Sequence, residues 1–222
     1  ILSERTIRSE LGDDQVDDNI QRLGLWLRYS QKSAISKQEW SEYGLKEKPM
    51  LPKKPRIFFA VKYGHSGNVS LAAAVKLDDG RIFIEAIDCR PVRDGNAWLM
   101  PFLRNPHAES TVIDGAGNQT VLAAEMKDAG VKCKAVLPKV SDVVAAHALF
   151  EQQLFGGQIR HMDQPALAQA ATNCEHRAIG SGGGFGYASV LEGADISLLE
   201  AVSLAHWLCA NAKEHKPQSV SF

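Results

Sequence analysis

The sequence predicts an α/β domain built on a mixed sheet of five or more strands flanked by helices. Residues 57–88 hold three apolar runs separated by tight polar turns, the mark of an antiparallel meander. Residues 110–137 hold two further β-type runs on either side of a helical pattern, which requires a parallel pair with a crossover. From Ser141 onward the apolar spacing is mainly helical.

Taken in order, the main domain opens with a strand from Ile57 to Lys62 and the turn Gly64-His65-Ser66-Gly67-Asn68. A second strand spans Val69 to Leu77, Asp78-Asp79-Gly80 makes a hairpin turn, and a third strand runs from Arg81 to Asp88. Asn96 to Arg104 reads as a crossing helix with Trp98, Leu99 and Phe102 on one side. Ser110 to Asp114 is a fourth strand, with Val121 to Ala129 in the helix behind it, and Lys134 to Leu137 is a fifth. Ser141 caps a helix that Gly156-Gly157 stops at Phe155, and the alanine-rich stretch Pro165 to Cys174 continues helical. Arg177 to Leu191, rich in glycine, reads as a hairpin or loop, and a last helix runs from about Ser197 to Lys213. Three antiparallel strands, then strand–helix–strand, then helices, is the order of an RNase H-like fold.

Residues 1–54 differ in character. Asp13, Asp14, Asp17 and Asp18 precede Ile20, Leu23, Leu25 and Trp26, and Ser36-Lys37-Gln38-Glu39 forms a capping box before Trp40. Lysines and prolines between Lys46 and Pro55 describe a stiff linker, so 1–54 is expected to be a leading segment, 55–216 the main domain and 217–222 a tail. The chain begins Ile1-Leu2-Ser3, without methionine, and reads as a portion of something longer.

Composition sets limits. The 222 residues are 45% hydrophobic and 23% charged with a net charge of −1, so no global basic field announces nucleic acid. The four cysteines form no Cys-x-x-Cys pair and read as buried, reduced thiols. No apolar run is long enough to span a bilayer. No Gly-x-x-x-x-Gly-Lys-[Ser/Thr] motif occurs, so a nucleotide-hydrolysing P-loop is excluded from these residues.

Chemistry is concentrated in two acidic segments. Thr111-Val112-Ile113-Asp114-Gly115-Ala116-Gly117 delivers a carboxylate from a β-branched run into a glycine turn, the kind of sheet edge where α/β folds place ligands. Acidic residues also end strands for local hydrogen-bonding reasons. Asp195 opens the last helix, where it could cap the first amides, but Ser197 and Glu200 make a capping box of their own that would leave Asp195 free. Asp88 is expected on the far side of the sheet in a structural role. His65 is the histidine expected nearest the acidic pair, whereas His161 and His206 read as core or surface residues. Gly180 to Gly186 resembles a phosphate loop by composition only.

Together these residues resemble the carboxy-terminal half of tailed-phage terminase large subunits, the DNA-packaging motors. Leu23-Gly24-Leu25-Trp26 is similar to the segment that follows the ATPase portion in that family, and Val112-Ile113-Asp114-Gly115-Ala116-Gly117 to its second acidic motif. Ile159-Arg160-His161, Gln164-Pro165-Ala166-Leu167, Arg177 with the glycine-rich hairpin, and Asp195-Ile196-Ser197 through Trp207 follow in the family's order. The resemblance implies an RNase H-like nuclease that cuts double-stranded DNA with two divalent cations, Mg²⁺ or Mn²⁺, held by Asp114 and Asp195. It also implies DNA contacts at Arg177, Gly182, Gly183 and Gly184. The partners it implies are an ATPase portion, a small terminase subunit and a portal, in the cytoplasm of a bacterial host, with no membrane. One residue departs from the pattern: Lys62 stands at the end of the first strand, where the family has an aspartate. A protonated lysine cannot ligate a cation, so either a weakened nuclease or a non-catalytic DNA-docking module is an alternative. An RNase H-like recombination nuclease is a third.

Overall fold

Alternation along the central strands decides which face each side chain takes. The computed structural model describes residues 33–213. Strand β1 (Ile57–Tyr63) pairs antiparallel with β2 (Asn68–Lys76), and β2 antiparallel with β3 (Ile82–Pro91). On its other side β1 pairs parallel with β4 (Ala108–Asp114), and β4 with the short β5 (Lys134–Val136). A two-residue strand, β6 (Ile159–Arg160), adds in parallel to β3, giving one sheet of order β5-β4-β1-β2-β3-β6. The fold is therefore α/β and RNase H-like, with six strands.

All seven residues of β1 are buried, so both its faces are covered. Ile57, Phe59 and Val61 face α2 (Met100–Leu103) and α3 (Ala116–Asp128) through Leu103, Leu122 and Met126. Phe58 and Ala60 face the other layer, formed by α4 (Val140–Phe155), α5 (Pro165–Ala171) and α6 (Ser197–Ala210). Helix α6 is apolar on nearly every side because it lies between the sheet and α4. A separate hairpin of β7 (Cys174–Ile179) and β8 (Gly184–Ser189) packs on α4.

Several local expectations are revised. The helix expected over 96–104 is a 3₁₀ turn (Ala97–Leu99) followed by one turn of α-helix, with Pro101 near its start. Helix α4 begins at Val140, and Asp142, not Ser141, accepts the Lys139 amide at 2.8 Å. Helix α5 stops before Thr172, and the Asn173 side chain bonds back to the Gln169 carbonyl where the chain turns into β7. The capping box at α1 (Lys37–Glu42) is present, with Ser36 and Glu39 bonding each other's amides.

The expected division at residue 54 separates two stretches that share one core. Ile35 and Trp40 are buried in the α6-side cluster, and Trp40 stacks on His161 at 3.9 Å. Residues 1–32 and 214–222, which include Leu23-Gly24-Leu25-Trp26 and the expected tail, lie outside the described residues. Among the described residues no helix is long and apolar enough to cross a membrane. The four cysteines are buried free thiols, each pushed up by burial, to about 11 for Cys174 and about 12 for the others.

His147, His161 and His206 are all core residues, each pulled down to about 4 chiefly by burial. His161 Nδ1 accepts the Asp163 amide at 2.9 Å and its Nε2 lies 3.0 Å from the Trp40 carbonyl, an arrangement that suits the neutral ring. An unfolded chain protonates these rings near pH 6.5, whereas the folded chain resists until about pH 4. Stability should therefore fall as pH drops through that window, because the unfolded chain takes up protons that the buried rings refuse. Thermal melts between pH 7 and pH 4 check this, and a flat midpoint over the range would refute the neutral assignment.

Candidate acidic centre

Register places the first two charged groups side by side. In the parallel pairing of β1 and β4, Lys62 lies opposite Asp114, the last residue of each strand's ladder. Lys62 shares its face with Phe58 and Ala60, and Asp114 shares its face with Val112, so both turn toward α6. The Lys62 ammonium sits 2.5 Å from Asp114 Oδ2 and 3.4 Å from Glu200 Oε1, the latter in the first turn of α6. Only 10%, 18% and 7% of these three side chains is exposed, so the cluster is poorly hydrated. Burial alone would lower the Lys62 pKa, but Glu200 and Asp114 more than offset this and raise it, so the lysine is a cation. Burial raises the Glu200 carboxyl, with Lys62 opposing.

Gly115 makes the approach of the two strands possible. Its φ is 137°, and a Cβ there would lie 2.5 Å from the Tyr63 Cβ. No side chain caps α3, so Asp114 is not used as a local cap.

Asp195 is held differently. Its Oδ1 accepts the Ser197 amide at 2.6 Å, and its Oδ2 accepts from the Asn68 amide group at 2.9 Å and from the Ser66 hydroxyl. Burial works to raise this carboxyl, but the bonds from Ser197, Ser66 and Asn68 prevail and hold it below the usual carboxylate range. The Ser197–Glu200 capping box expected from the sequence does not form. Ser197 bonds Ser70 across to β2 at 2.7 Å, Glu200 turns to Lys62, and Asp195 itself takes the amide at the start of the helix. Gly64 brings the β1–β2 turn against this group, since a Cβ there would stand 3.3 Å from both Asp195 oxygens.

Asp195 and Glu200 line one cavity of about 380 Å³ together with Gly64, His65, Arg177 and Tyr187. The structure thus brings His65 and Arg177 to the same opening as two acidic groups, with Asp114 joined to them through Lys62. Gly182, Gly183 and Gly184 are not among the lining residues. Gly184 instead packs on α4, where a Cβ would meet Val144 at 2.8 Å. Asp88 pairs with Leu71, whose side chain belongs to the α3-side cluster, so it lies on the sheet's other face and bonds Cys89 and Arg90.

Glu200 is the residue that sequence reading missed. Its sequence signal is a lone carboxylate inside Leu198-Leu199-Glu200-Ala201-Val202, a helix too apolar to leave it in water. Among the described residues no group of three or more His, Cys, Asp or Glu side chains is arranged to hold a metal ion. As they stand, these side chains do not fit two divalent cations. An ammonium neutralises Asp114 and Glu200, and Asp195 accepts three hydrogen bonds.

No protein-family model matches the chain, and no curated protein matches it in sequence. Solved structures do match. The large terminase of bacteriophage HK97 is 16% identical with a TM-score of 0.50 over 78% of this chain and 43% of that one. The large terminase nuclease from thermophilic phage G20c, with bound magnesium, is 14% identical with a TM-score of 0.55 over 78% of this chain and 97% of that one. The large terminase of another thermophilic bacteriophage is 13% identical with a TM-score of 0.55 over 90% of this chain and 52% of that one. The chain therefore spans about half the length of the whole large terminases it matches and nearly all of the separate nuclease domain. Its fold is that of the large-terminase nuclease domains.

Proposed function

We propose that this chain is the nuclease-fold portion of a phage or prophage packaging terminase, engaging double-stranded DNA with a cleavage centre made slow by Lys62. Its setting is the cytoplasm of a bacterial host, beside an ATPase portion, a small terminase subunit and a portal. One observation carries the reading: Asp114, Glu200 and Lys62 converge where β1 and β4 end, with the lysine ammonium between the two carboxylates. Three bare carboxylates at one sheet edge would repel a phosphodiester. Lys62 offsets part of that charge, and Arg177 and His65 face the opening, so a DNA backbone can approach without first recruiting cations. Mg²⁺ or Mn²⁺ would be the hard cations suited to these oxygens, and Asp114 and Glu200 would be free to hold one only if Lys62 gave way.

The test is duplex binding by fluorescence anisotropy in EDTA, with plasmid nicking in Mn²⁺ alongside. Wild type should bind duplex DNA and nick slowly, and Asp114→Ala should bind comparably while losing the nicking. Preference for four-way junctions over linear duplex would favour a recombination nuclease. Absence of both binding and nicking would end the reading.

A further inference from the structure

At the opposite pole of the sheet, where β1 and β4 begin and α6 ends, lies a second groove of about 600 Å³, in the size range of small-ligand sites. Phe58, Trp207 and Leu208 form its apolar wall, and Arg56, Lys134 and Lys213 its cationic rim, against the single carboxylate of Glu109. Arg56 is fixed in place: its guanidinium bonds Glu109 at 3.0 and 3.2 Å and the Lys213 carbonyl at 2.9 Å. Lys134 is exposed. Lys53, Lys54 and Lys132, also exposed, stand next to this rim in sequence. In a chain of net charge −1 this is a local excess of positive charge.

We propose that this groove binds single-stranded nucleic acid, with one unstacked base against Trp207 and the flanking phosphates on Lys134 and Lys213. The half-buried indole supplies a face that any base can stack on, and the lysines supply point charges for the backbone. Duplex DNA keeps its bases stacked and cannot use the indole. An acidic peptide would use the cations and leave the aromatic wall idle. The site is separate from the acidic centre and does not depend on whether that centre cleaves.

The experiment uses the full chain in EDTA with a labelled oligothymidylate of about ten nucleotides, read by anisotropy and by quenching of tryptophan emission. Trp207→Ala should weaken binding about tenfold and abolish most of the quenching, with Trp207→Phe retaining much of the affinity. Lys134→Ala should reduce the salt slope by about 0.7. Asp114→Ala should leave both readouts unchanged, which separates failure here from failure of the terminase reading. Lys134→Glu, at an exposed position, carries the test if Trp207→Ala fails to fold. The proposal is overturned if Trp207 and Lys134 variants bind normally while Arg177→Glu does not. It is equally overturned if polyglutamate competes as well as the oligonucleotide and Trp207→Ala has no effect.

Discussion

Lys62→Asp should bind Mn²⁺ at least about tenfold more tightly than wild type and should nick plasmid DNA faster. The substitution removes an ammonium that neutralises Asp114 and Glu200 and supplies a new oxygen ligand at the end of β1. A unit charge at about 4 Å is worth about 4 kcal/mol at an effective dielectric of 20, and tenfold in affinity needs only about 1.4 kcal/mol. Calorimetric Mn²⁺ titration measures the first effect independently of activity. Without metal the variant gathers three carboxylates and should melt well below wild type. Because a ligand that binds only the folded state stabilises it, Mn²⁺ should restore much of the lost melting temperature in Lys62→Asp and little in wild type. Equal Mn²⁺ affinities, or a wild type that already cuts as fast as Lys62→Asp, would show that Lys62 does not occupy a cation's place.

Lys62→Met should destabilise the fold by about 3–5 kcal/mol, the usual consequence of removing one partner from a buried ionic cluster. At this chain length that lowers the melting midpoint by roughly 10 °C. The loss should be larger near neutral pH than at mildly acid pH, where the Glu200 carboxyl, already raised by burial, takes up a proton. Adding Glu200→Leu to Lys62→Met should recover part of the stability, since Asp114 then remains as the less buried of the two acids. If Lys62→Met alone melts like wild type, the ammonium contributes nothing to the fold and the cluster is not closed in the way described. The two substitutions separate charge from ligation: both remove the cation, but only aspartate adds an oxygen.

The order of secondary structure was legible because each central strand is buried on both faces. A strand such as Ile57-Phe58-Phe59-Ala60-Val61 announces itself as a continuous apolar run, and the Asp-Asp-Gly turn between β2 and β3 as a break. The short elements were less legible. The turn over 96–104 carries helical apolar spacing, yet Pro101 confines it to single turns. The relation of residues 33–45 to the main domain was illegible too, because Trp40 reaches the core through a stack on His161, far along the chain.

The sequence by itself determined that Asp114 ends a buried strand at a glycine turn and that Lys62 lies near the end of another. Both follow from local rules: apolar alternation, and the small set of residues that tolerate a sharp turn. Only the tertiary structure decided what those groups face. The parallel register of β1 and β4 sets Lys62 beside Asp114, and the packing of α6 on the same face brings in Glu200, which local pattern had assigned to a helix cap. The same packing leaves Asp195 to cap α6 and bond the β1–β2 turn. A helix cap is a preference worth about 1 kcal/mol. Stranding a buried lysine without its carboxylates costs about 3–5 kcal/mol, so the ion pair, and not the cap, chose Glu200's partner.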